Sequence, residues 1–125
     1  MREIKFRGRT YENEWVYGSF IDAGSKKFIW NRYPIEVDPK SVGQFLCSKD
    51  MRDREIYEGD IVKIHHPDGE LIGIVKFGDG EFYIDCPPQD HLFSNCILSF
   101  STTDTRDVEV IGNIYEHKHL LEVRR

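Results

Sequence analysis

Hydrophobic and polar residues alternate along most of this chain instead of recurring at helical spacing. In the segments 60–66, 71–77 and 81–85, apolar residues favour every second position. That is the period of an extended strand, whose successive side chains point to opposite faces of a sheet. Proline and glycine at 67–69 and glycine at 78–80 separate the three segments with residues typical of tight turns. The pattern predicts a three-stranded antiparallel meander.

Shorter alternating stretches occur elsewhere. They predict further strands at 4–7, 14–21, 27–30, 35–37, 97–102 and 108–115. In the first of these strands, Ile4 and Phe6 are expected to face the core, while Lys5 and Arg7 face solvent. Gly112, inside the last one, predicts a β-bulge or a close backbone approach.

Helical periodicity is not sustained over twelve residues anywhere, and only 116–123 predicts a short helical turn. The fold class is therefore mainly β, with few or no helices. We expect one domain over 1–125 with an internal seam at 48–54, where six of seven residues are polar or charged. An N-terminal strand assembly over 1–47 is then followed by a small SH3-like β-barrel over 55–125.

Composition narrows the class of protein further. With 125 residues and 39% hydrophobic content, the chain is neither disordered nor of low complexity. It contains no run of about 18 apolar residues that could span a membrane and no signal-peptide core. Its three cysteines form no C-x-x-C pair, which favours reduced, inert thiols. We predict a cytoplasmic protein without a membrane partner.

Charge is unevenly distributed along the chain. Residues 1–50 carry 9 basic and 7 acidic side chains, whereas 51–125 carry 8 basic and 15 acidic ones. Basic side chains recur at alternate positions in the N-terminal half, where aromatic residues are also frequent. Together they are candidates for contact with a single-stranded nucleic acid, which binds to aromatic side chains in a basic groove. The set is Lys5, Arg7, Arg9, Trp15 and Tyr17, with Tyr11, Trp30 and Tyr33 as further aromatic positions.

The run E-I-Y-E-G-D-I-V at 55–62 resembles a signature of the YopX family, small phage and prophage proteins of Gram-positive bacteria. Three further segments resemble that family in the same order: I-K-F-R at 4–7, V-D-P with V-G-Q-F at 37–45, and E-V-I-G-N-I-Y-E at 109–116. The chain departs from the family after 45, where L-C-S-K-D replaces the usual T-G-L-K-D. The resemblance implies a mainly β, barrel-containing fold, a phage-associated bacterial origin and homo-oligomerisation, and it implies no known reaction.

Within the matched segments, most residue types indicate structure. Gly59 permits a turn conformation that other residues avoid, and the Asp60 side chain is suited to capping that turn. The alternative interpretation is a polar pocket formed by Glu58, Asp60 and Asn113.

Catalytic motifs are missing from the sequence: it has no phosphate-binding loop, no nucleophile elbow and no H-E-x-x-H. Cys86, His91 and Cys96 are close enough in sequence to form a Cys–His pair or, with His117 or His119, a zinc site. Their C-x4-H-x4-C spacing is not typical of zinc proteins. We therefore expect no enzyme activity, no cofactor and no metal.

The function expected from these observations is a protein-interaction or assembly module, with a second copy of the chain as the first partner to consider. No small-molecule partner is predicted. Binding of single-stranded nucleic acid by the basic, aromatic half is the alternative.

Overall fold

The computed structural model describes residues 4–67, 69–88 and 96–121. The chain divides into two compact units, Met1–Cys47 (the first unit) and Ser48–Arg125 (the second unit). The division lies beside the polar stretch 48–54.

Eleven strands are described. In chain order they are β1 (Phe6–Arg9), β2 (Trp15–Ala23), β3 (Lys26–Asn31), β4 (Tyr33–Val37), β5 (Gly43–Lys49), β6 (Glu55–Tyr57), β7 (Asp60–His66), β8 (Gly69–Gly78), β9 (Glu81–Cys86), β10 (Cys96–Ser99) and β11 (Val108–Asn113). Three short 3-10 helices cover Pro39–Ser41, Thr105–Asp107 and Lys118–Leu121. With 59% of residues in two antiparallel sheets and no α-helix among the described residues, the predicted mainly β class is confirmed.

In the first unit, the strands follow the order β4-β3-β2-β1-β5. One face of this sheet forms the apolar core, where Ile29 and Val37 are fully buried and the Phe6 and Phe20 rings pack 5.3 Å apart. The chain returns to its first strand through Asp38, whose backbone N–H donates to the Arg9 carbonyl at 2.8 Å.

The predicted meander is present in the second unit, where β7 pairs with β8 and β8 with β9, all antiparallel. Asp79 and Gly80 both have positive φ in the turn between β8 and β9, as a tight two-residue hairpin requires. The alternation also places the core as expected. Its fully buried members include Val62, Val75 and Ile84.

The second sheet has the order β10-β9-β8-β7-β11, and the β7–β11 register shifts between Val110 and Gly112. The bulge predicted at Gly112 is therefore confirmed. Within the described residues, no pairing joins β10 to β11, so the sheet is open and closure into an SH3-like barrel is not shown.

The predicted orientation of the first strand is confirmed at Phe6, which packs on Phe20, but it is wrong at Ile4 and Arg7. Ile4 is 70% exposed, whereas Arg7 is only 7% exposed. The Arg7 guanidinium lies over the Trp15 ring, 4.6 Å from its centroid. This cation–π contact, which alternation alone does not reveal, gives a buried arginine a favourable environment.

Strand β5 was missed by the sequence analysis. Phe45 and Leu46 are adjacent and both buried, and Cys47 has a φ of 68°. A left-handed residue interrupts the pleat, so the side chains do not alternate regularly along the strand.

Candidate functional site

Asp60, one of the three residues of the predicted polar pocket, is a buried turn residue. Its side chain is 1% exposed, and Oδ2 accepts a hydrogen bond of 2.7 Å from the Tyr57 backbone N–H. The carboxylate thus stabilises the turn between β6 and β7, because it accepts from the buried amide of the last residue of β6.

Asn113 performs the same task at the end of β11, where its Cα is the register partner of Asp60. Its side-chain Oδ1 accepts hydrogen bonds from the backbone N–H groups of Tyr115, at 3.0 Å, and Glu116, at 2.9 Å. Nδ2 donates to the Glu116 carboxylate at 3.1 Å. Asn113 and Asp60 are therefore neighbours whose polar atoms stabilise turns.

Gly59 connects these two turns. Its φ is +93°, its N–H donates to the Val75 carbonyl at 2.8 Å, and its carbonyl accepts from the Ile114 N–H at 2.9 Å. A Cβ at this position would come within 3.0 Å of the Tyr115 ring. The positive φ and the close approach of the Tyr115 ring both favour glycine at position 59.

A cleft of about 420 Å3 opens beside this turn. It is lined by Glu58, Gly59, Ile74, Val75, Lys76, Ile114, Tyr115, Lys118 and Leu121. Of the three predicted pocket residues, only Glu58 lines it. The described lining contains no cysteine, histidine or serine, and hence no nucleophile–base pair of the usual kind.

The five candidate nucleic-acid residues lie together in the first unit. Arg7 is the cross-strand partner of Tyr17, and Arg9 of Trp15, so these four share one face of the β1–β2 pair. Lys5 immediately precedes β1, and its ammonium lies 4.9 Å from the centroid of the Phe45 ring.

These five residues differ in accessibility. Tyr17 is 44% exposed. Trp30 pairs with Ser19, two positions after Tyr17, so it lies on the same face, and it is 48% exposed. Arg7 is buried against Trp15 and offers little surface to a phosphate. The accessible part of this face is consequently aromatic more than basic.

The second sheet has two edges, and the β11 edge is covered. Asp50 Oδ2 accepts from the Val110 N–H at 2.8 Å, the Met51 N–H donates to the Val108 carbonyl at 2.8 Å, and Arg54 Nη1 donates to the Val110 carbonyl at 3.1 Å. The outward backbone groups of Val108 and Val110 are therefore occupied by the loop 50–54.

A charged cluster attaches this covering loop to β11. Arg52 Nε donates to Glu109 Oε2 at 2.8 Å, and the His65 ring lies between Glu109 at 3.0 Å and Glu70 at 3.1 Å. The hydrogen bonds from His65 and then from Arg52 lower the pKa of Glu109 below its usual range. The ionised carboxylate favours retention of the Arg52 loop on this edge.

The opposite edge, β10, has no strand on its outer side within the described part of the chain. Phe100 N–H donates to the Phe82 carbonyl at 3.4 Å, so the even-numbered residues of β10 direct their N–H groups toward β9. The Ile97 N–H and carbonyl consequently face outward, and the Ile97 side chain is 67% exposed. Among the described residues, nothing pairs with this edge of the second sheet.

Two of the three cysteines occupy the same sheet. Cys86 and Cys96 are register partners across β9 and β10; Cys86 is fully buried and Cys96 partly exposed. Burial, with smaller contributions from the Cys96 thiol and the Asp85 carboxylate, raises the pKa of Cys86 to about 12. A thiol with that pKa is a poor nucleophile at neutral pH.

His91, the third member of the predicted Cys–His or zinc site, lies outside the described residues. The His117 and His119 rings are 6.2 Å apart near the last 3-10 helix. In the ranges 4–67, 69–88 and 96–121, no three histidine, cysteine or acidic side chains are grouped so that they could hold a metal ion. Those same ranges contain no helix with the length and apolarity of a membrane span.

The hydrogen bonds of Asp50 and the edge position of Ile97 have no signal in the sequence pattern. Asp50 bonds to Val110, which is 60 positions away, and no local pattern indicates such a contact. Ile97 lies in a short apolar segment of the sequence. Such a segment predicts a strand but does not show whether that strand lies at the edge of a sheet.

Comparison with known proteins places these features in context. A family model described as YopX protein matches residues 2–122. Among solved structures, the chain is similar to protein EF1440 from Enterococcus faecalis, with 25% sequence identity, a TM-score of 0.58, and coverage of 98% of this chain and 100% of that one. No curated protein matches the chain.

Proposed function

The chain belongs to the YopX family, and we propose that it is a non-enzymatic assembly module that binds a second copy of itself through strand β10. The observation that carries this proposal is the outward-facing, 67% exposed Ile97 on an edge without a described neighbour. Exposed edges of this kind readily pair with another chain.

The β10 edge is suited to pairing with its own copy. A two-fold axis at Ile97 lets the Ile97 N–H and carbonyl of each copy bond to the same groups of the other, as in an antiparallel hydrogen-bonded pair. The two Ile97 side chains then lie side by side on one face of the joined sheet. Burying an isoleucine side chain contributes about 1.5–3 kcal/mol.

The covered β11 edge prevents the second sheet from adding another copy on its other side. Asp50, Met51 and Arg54 already occupy the outward groups of Val108 and Val110, so a second copy cannot add there. Pairing through one edge alone gives a closed dimer, whereas two open edges would allow a continuing sheet.

Replacing Ile97 by lysine is expected to convert the dimer to a monomer. The substitution removes the apolar contact and brings two ammonium groups together across the axis. Because Ile97 is exposed, we expect the fold to be preserved. Light scattering after size exclusion should give twice 14.7 kDa for the parent chain and 14.7 kDa for Ile97→Lys.

The matched control is Met51→Lys, which changes a 46% exposed apolar side chain on the covering loop of the other edge. Its backbone contact to Val108 is retained, so its mass should equal that of the parent dimer. A parent protein that stays at 14.7 kDa when concentrated would refute self-association.

A second candidate function is binding of single-stranded nucleic acid by the first unit. It is favoured by the common face of Tyr17 and Trp30, both nearly half exposed, with Arg9 on the same side. Aromatic rings on a sheet face stack on bases of any sequence.

For this candidate, we expect a labelled oligothymidine to be retarded on a native gel at low salt and released as salt increases. The double variant Tyr17→Ala/Trp30→Ala should bind at least about tenfold more weakly, because each stacked base contributes about 1–3 kcal/mol. Phe77→Ala, at a 46% exposed aromatic position in the second unit, is the control. Absence of retardation at low salt would remove this candidate.

The same proposal includes three further statements, on enzyme activity, on the fold of the second unit, and on the origin and location of the protein. The described lining of the cleft and the high pKa of Cys86 support a non-enzymatic protein. The five antiparallel strands with one apolar face support a partly open SH3-like barrel in the second unit. The family resemblance supports a phage or prophage origin, and the free cysteines are compatible with a cytoplasmic location.

A further inference from the structure

Cys86 and Cys96 are opposite each other on adjacent strands. They are Cα register partners, and the alternation set by the Phe100–Phe82 bond makes theirs a hydrogen-bonded pair. In such a pair the Cα atoms are about 5.5 Å apart, within the range of about 4.4–6.8 Å that disulfides span, but the Cβ atoms must approach each other to reach the roughly 3.8 Å of a disulfide, so the bond is strained and readily reduced. Opposite residues also place their side chains on the same face of a sheet.

We propose that Cys86 and Cys96 form a redox-sensitive dithiol that closes to a cross-strand disulfide when the protein meets a small-molecule disulfide such as oxidised glutathione. The bond joins β10 to β9 within one copy of the chain. It therefore does not depend on the self-association proposed above.

The different exposures of the two thiols set the order of reaction. The partly exposed Cys96 thiolate attacks one sulfur of oxidised glutathione, forming a mixed disulfide and releasing one glutathione thiolate. Cys86 then loses its proton to water and attacks Cys96 Sγ, which releases the second glutathione. Two protein thiols are oxidised, and one glutathione disulfide is reduced to two thiols.

The buried Cys86 makes the second step slow and dependent on pH. Its pKa of about 12 keeps the thiolate fraction small at neutral pH. The rate of closure should therefore rise about tenfold for each pH unit in the neutral to mildly alkaline range.

The test is incubation of the full-length reduced protein with oxidised glutathione, followed by intact mass measurement and non-reducing peptide mapping. We expect the loss of two hydrogen atoms, a peptide linking Cys86 to Cys96, and monomeric mobility on a denaturing non-reducing gel. Cys47→Ser, which removes the third thiol, should react identically, whereas Cys96→Ser should form no link to Cys86. The unmodified chain is mapped as well, so the result does not depend on a variant that folds.

Three results would overturn the proposal: a glutathione adduct on Cys96 that persists at raised pH, a disulfide between two chains, or no reaction at either cysteine.

Discussion

Asp50→Ala is expected to destabilise the protein by about 3–4 kcal/mol, the largest effect of any single substitution considered. The Asp50 carboxylate is 6% exposed and accepts three backbone hydrogen bonds, from Arg52 at 2.9 Å, Arg54 at 2.8 Å and Val110 at 2.8 Å. Alanine leaves these amides without the carboxylate acceptor. The free energy of unfolding from urea titration, followed by circular dichroism, measures the effect.

Asp107→Ala is the matched control for Asp50→Ala. Asp107 is exposed, and its carboxylate accepts no hydrogen bond among the described residues, so its removal should change stability by less than about 0.5 kcal/mol. Equal effects of the two substitutions would show that the Asp50 contacts do not stabilise the fold.

The Asp50 substitution also bears on assembly. Without the carboxylate, the outward N–H of Val110 becomes available to another chain, and the β11 edge loses one of the three hydrogen bonds that cover it. Folded Asp50→Ala protein should therefore show species heavier than the proposed dimer in light scattering. A mass unchanged from the parent would contradict the assigned role of this loop.

Gly59→Ala is expected to destabilise the protein by about 2–3 kcal/mol. The residue has a φ of +93°, and an added Cβ would meet the Tyr115 ring at 3.0 Å. Alanine is thus strained in its backbone and must displace the aromatic ring that lines the cleft. Urea denaturation of the variant gives the loss directly.

Gly80→Ala separates the effect of backbone strain from the effect of the contact with the Tyr115 ring. Gly80 has a φ of +80°, but a Cβ there would have no neighbour within 4 Å. Only the backbone strain remains, and the expected loss is about 1 kcal/mol. If Gly80→Ala were as damaging as Gly59→Ala, the contact with Tyr115 would not contribute.

Local sequence patterns predicted the parts of the fold that depend on residues close to one another in the chain. The β7–β9 meander followed from alternation and turn residues, the turn at Gly59 from the conformational freedom of glycine, and the irregularity at Gly112 from the absence of a side chain that would meet His117. Each of these features depends on neighbours in sequence or on the next strand.

Contacts between distant residues account for most of the failures. The burial of Arg7 results from its packing on Trp15, and the protection of β11 results from Asp50, which lies 60 positions before its partner Val110. The irregular strand β5 depends on the left-handed conformation of Cys47. None of these has a periodic signature in the sequence.

The candidate site was only partly predictable for the same reason. Glu58, Asp60 and Asn113 belong to matched family segments, and the structure brings Asp60 and Asn113 into register. The side chains of Asp60 and Asn113 point into turns because they accept hydrogen bonds from backbone amides. The donors are Tyr57, Tyr115 and Glu116. Pattern analysis could identify the residues but could not distinguish a pocket from a pair of capped turns.

Amide hydrogen exchange at Ile97 tests the proposed assembly most directly, because the Ile97 N–H is the group that a second copy must bind. Measured by NMR across a dilution series, this amide should be protected in concentrated protein and should exchange progressively faster as the dimer dissociates. The amide of Gly80 in the exposed β8–β9 turn serves as the unprotected reference. If the Ile97 amide exchanges as fast as that of Gly80 at every concentration, the β10 edge is not an interface between copies of this chain.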